Sequence, residues 1–313
     1  MPEPRDVHVD ATLSSLSVQY RNEAFIWREV MPPINVLKRS DKYFKYDKDQ
    51  RFRVPDDALG PKSVANEIEL KVSTDNYSVV DHGLEDWVSV EEEENADTPL
   101  SPRVDATEFL ADQLELAQAK RVAAVVFLAA TYPAGNKVQL SGTSQWGGST
   151  DDPIGDIMTG LDTVFSREDA ILVFGADAWR KYRQLPEVLD AVKPSTRFQA
   201  TPGGLASRED VASLFEVRAV LVGRSRENTA KEGQTAVFVR LWGKHAAILS
   251  VRPNPGVRTV VFGGTFMESD KVTMTGFDGR RGVKGATWLK TGWNSDEKII
   301  ASDLGYFIEN AVA

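Results

Sequence analysis

Two segments in the first third of the chain alternate apolar and polar residues, and turn-forming residues separate them. The segments are Phe44–Asp47 and Glu67–Ser73, and a period of two is typical of β-strands. Pro55–Asp57 and Gly60–Pro61, which lie between them, favour turns. Residues 41–97 therefore predict a long two-stranded loop. Because a two-stranded ribbon is at best marginally stable alone, it needs to lie on another surface, such as a neighbouring subunit.

A long amphipathic helix is predicted from Asp105 to about Ala130. Asp105 and Glu108 have the spacing of an N-terminal capping box, and Leu110 and Leu114 belong to one apolar stripe along the helix. Such a helix is ~39 Å long, which suits the structural rod of a flat subunit.

The remaining patterns predict an arm before the ribbon and a compact α/β unit after the long helix. Residues 1–40 are weakly periodic, and their paired Pro32 and Pro33 favour an extended path; one short helical or turn element is predicted around Glu23–Val30.

Helices and strands alternate after residue 152, which is typical of an α/β unit. One helix is predicted to begin at Pro153, and three more are predicted at Ala176–Arg183, Pro186–Val192 and Arg208–Phe215. The strands of this unit are predicted at Ala170–Phe174, Ala219–Gly223, Ala236–Trp242 and Ala246–Val251. Further strand patterns lie in residues 257–313, at Arg258–Phe262 and Lys298–Ala301.

Composition indicates a folded protein. The 313 residues are 42% hydrophobic and 27% charged, as in ordinary soluble domains. The net charge of −9 disfavours non-specific binding to nucleic acid, which depends on lysine and arginine. With no cysteine, disulfides and thiol chemistry are excluded. The polar N-terminus does not resemble a cleaved signal, and the longest apolar run, Val122–Ala130, is far shorter than the roughly 18 residues of a membrane span.

No motif in the sequence predicts a catalytic, cofactor-binding or metal site. The three histidines are His8, His82 and His245, and they have no metal-ligand spacing. The glycine-rich stretches lack the flanking residues of a phosphate loop. Glu91–Glu94 is interpreted as a solvated loop, with a metal site as the alternative. The basic stretch Gly279–Gly285 suits solvent, nucleic acid, or an acidic surface such as Glu91–Glu94 on a neighbour.

Several segments, in their order along the chain, resemble the major capsid proteins of tailed phages, which have the fold named for phage Hong Kong 97. The segments that carry the resemblance are Lys42–Asp49, Val72–Tyr77, Asp81–Gly83, Asn95–Leu100, Asp105–Phe109, Pro153–Ile157 and Trp242–Lys244. The resemblance extends from about residue 20 to the end. It implies an α+β protein with an N-terminal arm (1–40), an extension loop (41–97), a peripheral domain with a spine helix (98–152), an axial domain (153–258) and a C-terminal return to the peripheral domain (259–313).

The resemblance also implies partners. Such proteins associate as hexamers and pentamers into an icosahedral shell, together with a scaffolding protein, a portal and in some cases decoration proteins. The shell encloses double-stranded DNA without sequence specificity; it forms in the host cytoplasm and becomes the virion capsid. No cofactor and no membrane are involved. The short chain implies a separate scaffolding protein or prior removal of a segment.

The ribbon is expected to cross onto a neighbouring subunit, and the arm to add a second overlap. The residues expected at intersubunit contacts are Tyr43, Tyr46, Ile68, Leu70, Val72, Trp87, Arg280 and Arg281.

Two other functions remain open at this point. One is the shell of an encapsulin-like bacterial compartment, which shares the fold. Purified particles that contain a cargo enzyme and no DNA would favour this function. A hydrolase with an unrecognised carboxylate site in the α/β unit would be a monomer with a deep polar pocket. Fold alone does not decide between them.

Overall fold

In the residues that the computed structural model describes, the strands form two five-stranded sheets and two two-stranded pairs. The structure describes residues 22, 25–46, 48, 52–59, 64–65, 67–69, 72–97, 100–192, 204–255, 259–269 and 271–313. Most of the predicted arm therefore lies outside the described residues.

The first sheet carries the long helix on one face. Its strands are β1 (Pro33–Asn35), β4 (Val80–Ser89), β11 (Gly263–Met267), β12 (Val272–Asp278) and β13 (Ala286–Ile299). The central strand is β13, which pairs antiparallel with β4, β11 and β12. Leu289 of β13 is buried with Val88, Ala106 and Leu110, so the helix packs on this side. Because side chains alternate along a strand, Trp288 and Lys290 lie on the opposite side, which we call the outer face.

The second sheet is central to the α/β unit. Its order is β5 (Lys137–Gln139), β14 (Gly305–Glu309), β10 (Ala246–Ser250), β6 (Ala170–Gly175) and β7 (Ala219–Gly223). Every residue of β6 is buried, as expected for a continuous apolar strand covered on both faces. Leu172 and Phe174 pack in one core cluster with the helices of the unit, and Ile171 and Val173 pack in another with the long helix.

The helices mostly match their predicted positions. They are α1 (Trp27–Val30), α2 (Val90–Glu94), α3 (Pro102–Val126), α4 (Pro153–Thr163), α5 (Ala176–Tyr182), α6 (Pro186–Val192) and α7 (Arg208–Leu214). The two strand pairs are β2 (Ser40–Tyr46) with β3 (Val72–Ser78), and β8 (Arg226–Asn228) with β9 (Phe238–Arg240).

The bounds predicted for the long helix were wrong at both ends. It begins at Pro102, whose missing N–H is unneeded in the first turn, so Asp105 is inside that turn and does not cap it. The helix ends at Val126, because side chains compete for its last carbonyls. The hydroxyls of Thr131 and Tyr132 donate to the carbonyl oxygens of Val125 and Val126, each at 2.8 Å.

The acidic run is a helix, contrary to the predicted loop. The Ser89 side chain accepts from the N–H of Glu92, and the Glu92 carboxylate accepts from the N–H of Ser89. This reciprocal capping box, with further acids in the first turn, stabilises a short helix. Glu94 pairs with Lys284 and Glu93 with Arg103 of the same chain.

Several strand predictions were also wrong. Residues 67–69 are in no strand, and the return strand begins only at Val72. The strand expected at Arg258–Phe262 begins at Gly263. A side chain at Gly264 would meet Ile34 of β1 at 2.4 Å, so this glycine allows β1 to approach. Only Phe238–Arg240 of the expected Ala236–Trp242 is strand. Most of β13, and all of β12 and β14, was missed.

The predicted domain bounds remain predictions. Within residues 259–313, β11 to β13 belong to the first sheet and β14 belongs to the second.

Candidate assembly surfaces

The ribbon is defined as β2, β3 and the residues between them. Its root, the end that contains Tyr43 and Tyr77, packs against the first sheet. Tyr77 is buried, and its ring stacks on Phe266 at 4.8 Å between centroids. Tyr43 lies 5.5 Å from the same ring. These aromatic contacts fix the angle at which the ribbon leaves the first sheet.

Polar contacts hold the two strands together near the root. The Tyr43 hydroxyl donates to Asp75 at 3.1 Å, and the Lys45 ammonium lies 3.0 Å from the same carboxylate. Partial burial and the Asp75 carboxylate raise the pKa of Tyr43 above its ordinary value. The hydrogen bond from Lys45 lowers the pKa of Asp75, so the Asp75 carboxylate is ionised at neutral pH.

Beyond its root, the ribbon exposes apolar side chains. Five of them are between 57% and 91% exposed: Phe52, Val54, Leu59, Val64 and Ile68. Phe44 is 70% exposed within β2. Such a series is unfavourable in water and typical of a surface that another protein covers.

One part of the ribbon rests on the α/β unit of its own chain. The Lys48 ammonium is 2.7 Å from the Asp303 carboxylate and 5.2 Å from the centre of the Phe165 ring. The Phe52 ring meets Phe165 edge-on at 5.0 Å. We call these contacts the latch.

A second exposed group lies on and beside the outer face of the first sheet. Trp87 of β4 is opposite Trp288 of β13, and the Arg281 guanidinium lies 3.6 Å above the Trp87 ring. Arg281 and Arg280 belong to the hairpin tip, Gly279–Gly285, which joins β12 to β13. Val283 at this tip is 93% exposed.

The predicted contact residues thus separate into two groups, and all remain predictions. Tyr43 is half-buried at the ribbon root, whereas Ile68 and Val72 are exposed. Trp87, Arg280 and Arg281 lie at or beside the outer face. The Tyr46 side chain and Leu70 lie outside the described residues. Sequence reasoning missed Phe52, which lies in a turn, and Val54, which lies in irregular chain after it, because neither belongs to a periodic pattern.

The described residues contain no cluster of His, Asp or Glu suited to a metal ion. His245 is structural: its Nδ1 accepts from the N–H of Asn310 at 3.0 Å, its ring packs on Phe127 and Phe307, and burial lowers its pKa. A cleft of about 530 Å³ has Trp146, Asp177, Arg180 and Lys181 in its wall. None of the described helices is long and apolar enough to cross a bilayer.

Comparison with known proteins identifies the family. The chain is 34% identical over 308 residues to the major capsid protein of Pseudomonas phage JBD67, and the match covers 97% of both proteins. It is also 26% identical over 247 residues to the major capsid protein of Burkholderia phage BcepMu, with 78% of this chain and 76% of that protein covered. No protein-family model matches the chain.

Solved structures show the same fold. A crystal structure of a phage-related protein from Bordetella bronchiseptica RB50 matches with a TM-score of 0.67 at 22% identity, covering 97% of both chains. The capsid of cyanophage P-SCSP1u matches with a TM-score of 0.65 at 10% identity, covering 97% of this chain and 93% of that one. An encapsulin from Synechococcus elongatus also matches, with a TM-score of 0.54 at 10% identity and 97% and 95% coverage, so the fold alone does not separate shells of the two kinds.

The sequence relatives do separate them. Because a phage capsid protein aligns with nearly the whole chain at 34% identity, the chain belongs to the major capsid proteins of tailed bacteriophages, which have the Hong Kong 97-like fold and build the icosahedral shell of the virion.

Proposed function

We propose that the protein assembles as pentamers and hexamers, and that each ribbon lies across a neighbouring subunit and buries its apolar side chains there. The observation that carries this proposal is the exposed series Phe52, Val54, Leu59, Val64 and Ile68. Full burial of one such side chain contributes about 1.5–3 kcal/mol. Symmetry repeats the contact in every subunit, so the shell needs no covalent cross-link.

The root and the distal part of the ribbon have different roles in this mechanism. The rings of Tyr43 and Tyr77, which pack against Phe266, fix the direction of the ribbon before assembly. Beyond the latch contact of Phe52 with Phe165, the exposed distal side chains, such as Val54 and Val64, adapt to the neighbour. A fixed root lowers the conformational entropy that association has to overcome.

The proposal extends to partners and location. The shell assembles in the host cytoplasm around a scaffolding protein, incorporates a portal, receives double-stranded DNA and binds decoration proteins where these exist. The shell encloses this DNA without reading its sequence, and the net charge of −9 disfavours strong attraction of the subunit to the phosphates. The proposal assigns it no catalytic activity.

Electron microscopy of the full-length protein, expressed alone and with its scaffolding protein, tests the proposal. We expect closed icosahedral shells. Absence of shells under both conditions would contradict the proposal.

Two variants test the ribbon itself. One deletes residues 56–65, and a length-matched control replaces them with glycine and serine, which keeps the reach of the ribbon and removes its side chains. Both are expected to lower the denaturant concentration at which shells dissociate. Undiminished shell stability in both variants would remove the ribbon from the mechanism.

A further inference from the structure

The cleft of about 530 Å³ lies at one edge of the second sheet. Strands β5, β14, β6 and β7 run in the same direction, and the antiparallel β10 lies between β14 and β6. The wall of the cleft is formed by residues that follow β5, β14 and β6, and by Lys244, which comes just before β10. The cleft therefore lies at the carboxyl ends of the parallel strands, the usual place for a ligand in an open α/β sheet.

Hydrogen bonds within the chain fix the wall of the cleft. The Trp146 indole donates from Nε1 to the Asp156 carboxylate at 2.9 Å. The Gln145 amide donates to the carbonyl oxygens of Asn310 and Val312 at 3.0 and 3.1 Å. These contacts join the loop after β5 to α4 and to the residues after β14. The cleft is thus preformed, and a ligand that enters it orders few groups of the protein.

The side chains of the cleft carry an excess of positive charge. Arg180, Lys181 and Lys244 are cationic, and Asp177 is acidic. The Asp177 carboxylate already lies 3.5 Å from the Arg180 guanidinium and 3.6 Å from that of Arg240. Neither Lys181 nor Lys244 belongs to an ion pair within the residues that the structure describes. Two lysines of the cleft are therefore available to an anionic ligand.

A glycine gives one of these lysines its position. Gly147 has a φ of +89°, and a side chain at this residue would overlap the side chain of Lys181. Only glycine readily combines this backbone angle with so close an approach. Lys181 therefore lies over the loop that follows β5, at the wall of the cleft.

We infer that the cleft binds a small anion that carries several phosphate groups. Lysine and arginine form charge-assisted hydrogen bonds with phosphate oxygens, and three such side chains line this one cleft. A volume of about 530 Å³ is typical of small-molecule sites and larger than a single phosphate ion needs. The chemical class is therefore a short polyphosphate chain, either free or attached to a nucleoside. The inference concerns the single subunit and does not depend on the crossing of the ribbon.

Isothermal titration calorimetry of the full-length free subunit, at low ionic strength and without divalent cations, tests the inference. The probes are inorganic tripolyphosphate, adenosine triphosphate and, as a control without phosphate, adenosine. One tripolyphosphate should bind per subunit and raise the thermal midpoint of unfolding, because a ligand that binds only the folded state stabilises it. Lys181→Gln and Lys244→Gln should each weaken binding about tenfold, the effect of losing one hydrogen bond to a charged group. Lys290→Gln is the matched control, because Lys290 is exposed on the first sheet and lies outside the cleft.

The two phosphate probes distinguish the sources of the ligand. An affinity for adenosine triphosphate no higher than that for tripolyphosphate would support recognition of the phosphate chain alone. A higher affinity would support a further contact with the nucleoside. If neither compound binds, by calorimetry and by thermal unfolding, or if both cleft variants bind as tightly as the wild type and Lys290→Gln, the inference is wrong. Neither result would affect the proposed function, which electron microscopy of shells tests separately.

Discussion

Replacing Val54 by serine separates the stability of the shell from that of the subunit. Val54 is 91% exposed, so its side chain contributes almost nothing to folding, and the unfolding free energy of the free subunit should change by less than about 0.5 kcal/mol. If the side chain becomes buried on a neighbour, its loss removes about 1.5–2.5 kcal/mol per contact. Each contact then weakens about ten- to seventyfold.

Two measurements on the same preparation check this prediction. Thermal unfolding of the free subunit by circular dichroism should give unchanged midpoints for wild type and Val54→Ser. Light scattering of assembled shells in increasing guanidinium should show dissociation of the variant at a lower concentration. Val260→Ser is the matched control, because Val260 is 65% exposed and lies outside both the ribbon and the hairpin tip.

Either of two results would refute the reasoning. Shells of Val54→Ser that dissociate at the wild-type concentration would show that Val54 stays in solvent after assembly. A lowered midpoint for the free subunit would show that Val54 packs within its own chain.

Three further predictions concern the subunit. Gln118→Leu should lower the unfolding free energy by about 2–3 kcal/mol, measured in urea, because the fully buried amide accepts from Trp293 Nε1 at 3.2 Å and its loss leaves buried partners unsatisfied. Asp303→Asn removes the ion pair with Lys48 in the latch. Because a partly exposed ion pair contributes at most ~1 kcal/mol, limited proteolysis of the ribbon in the free subunit should accelerate by up to about fivefold. Burial raises the pKa of the Asp156 carboxyl, so the folded subunit binds a proton at Asp156 more readily than the unfolded chain does. Lowering the pH from 7 through the raised pKa therefore stabilises the folded subunit. Asp156→Asn should therefore have the higher thermal midpoint at pH 7, and the difference should vanish below about pH 3.9, the ordinary aspartate pKa.

Each of these predictions has an opposing result. An unchanged urea midpoint for Gln118→Leu would mean that the core rearranges around the apolar side chain. Equal proteolysis of Asp303→Asn and wild type would show that the latch does not restrain the ribbon. A difference between Asp156→Asn and wild type that is independent of pH would assign the effect to packing.

Local signals in the sequence were sufficient for elements whose ends are chemically marked. Pro153 begins a helix, Ser207 caps another through Asp210, and the continuous apolar stretch of β6 is a buried strand. The order of arm, ribbon, long helix and α/β unit pointed to the family, and the period of two at Phe44–Asp47 marked the first strand of the ribbon. These features depend on residues close together in the chain, so they are readable without the fold.

Contacts between distant residues decided the rest. The long strand β13 was missed because its glycine and polar residues are stabilised by pairing with β4, β11 and β12, which lie far from one another in sequence. Thr131 and Tyr132 ended the long helix early by binding its carbonyls. The segment at Ile68 has the sequence of a strand, yet its described residues, 67–69, lie in no strand. A β-strand needs a partner to satisfy its backbone, and neither alternation nor composition specifies which partner, or which subunit, provides it.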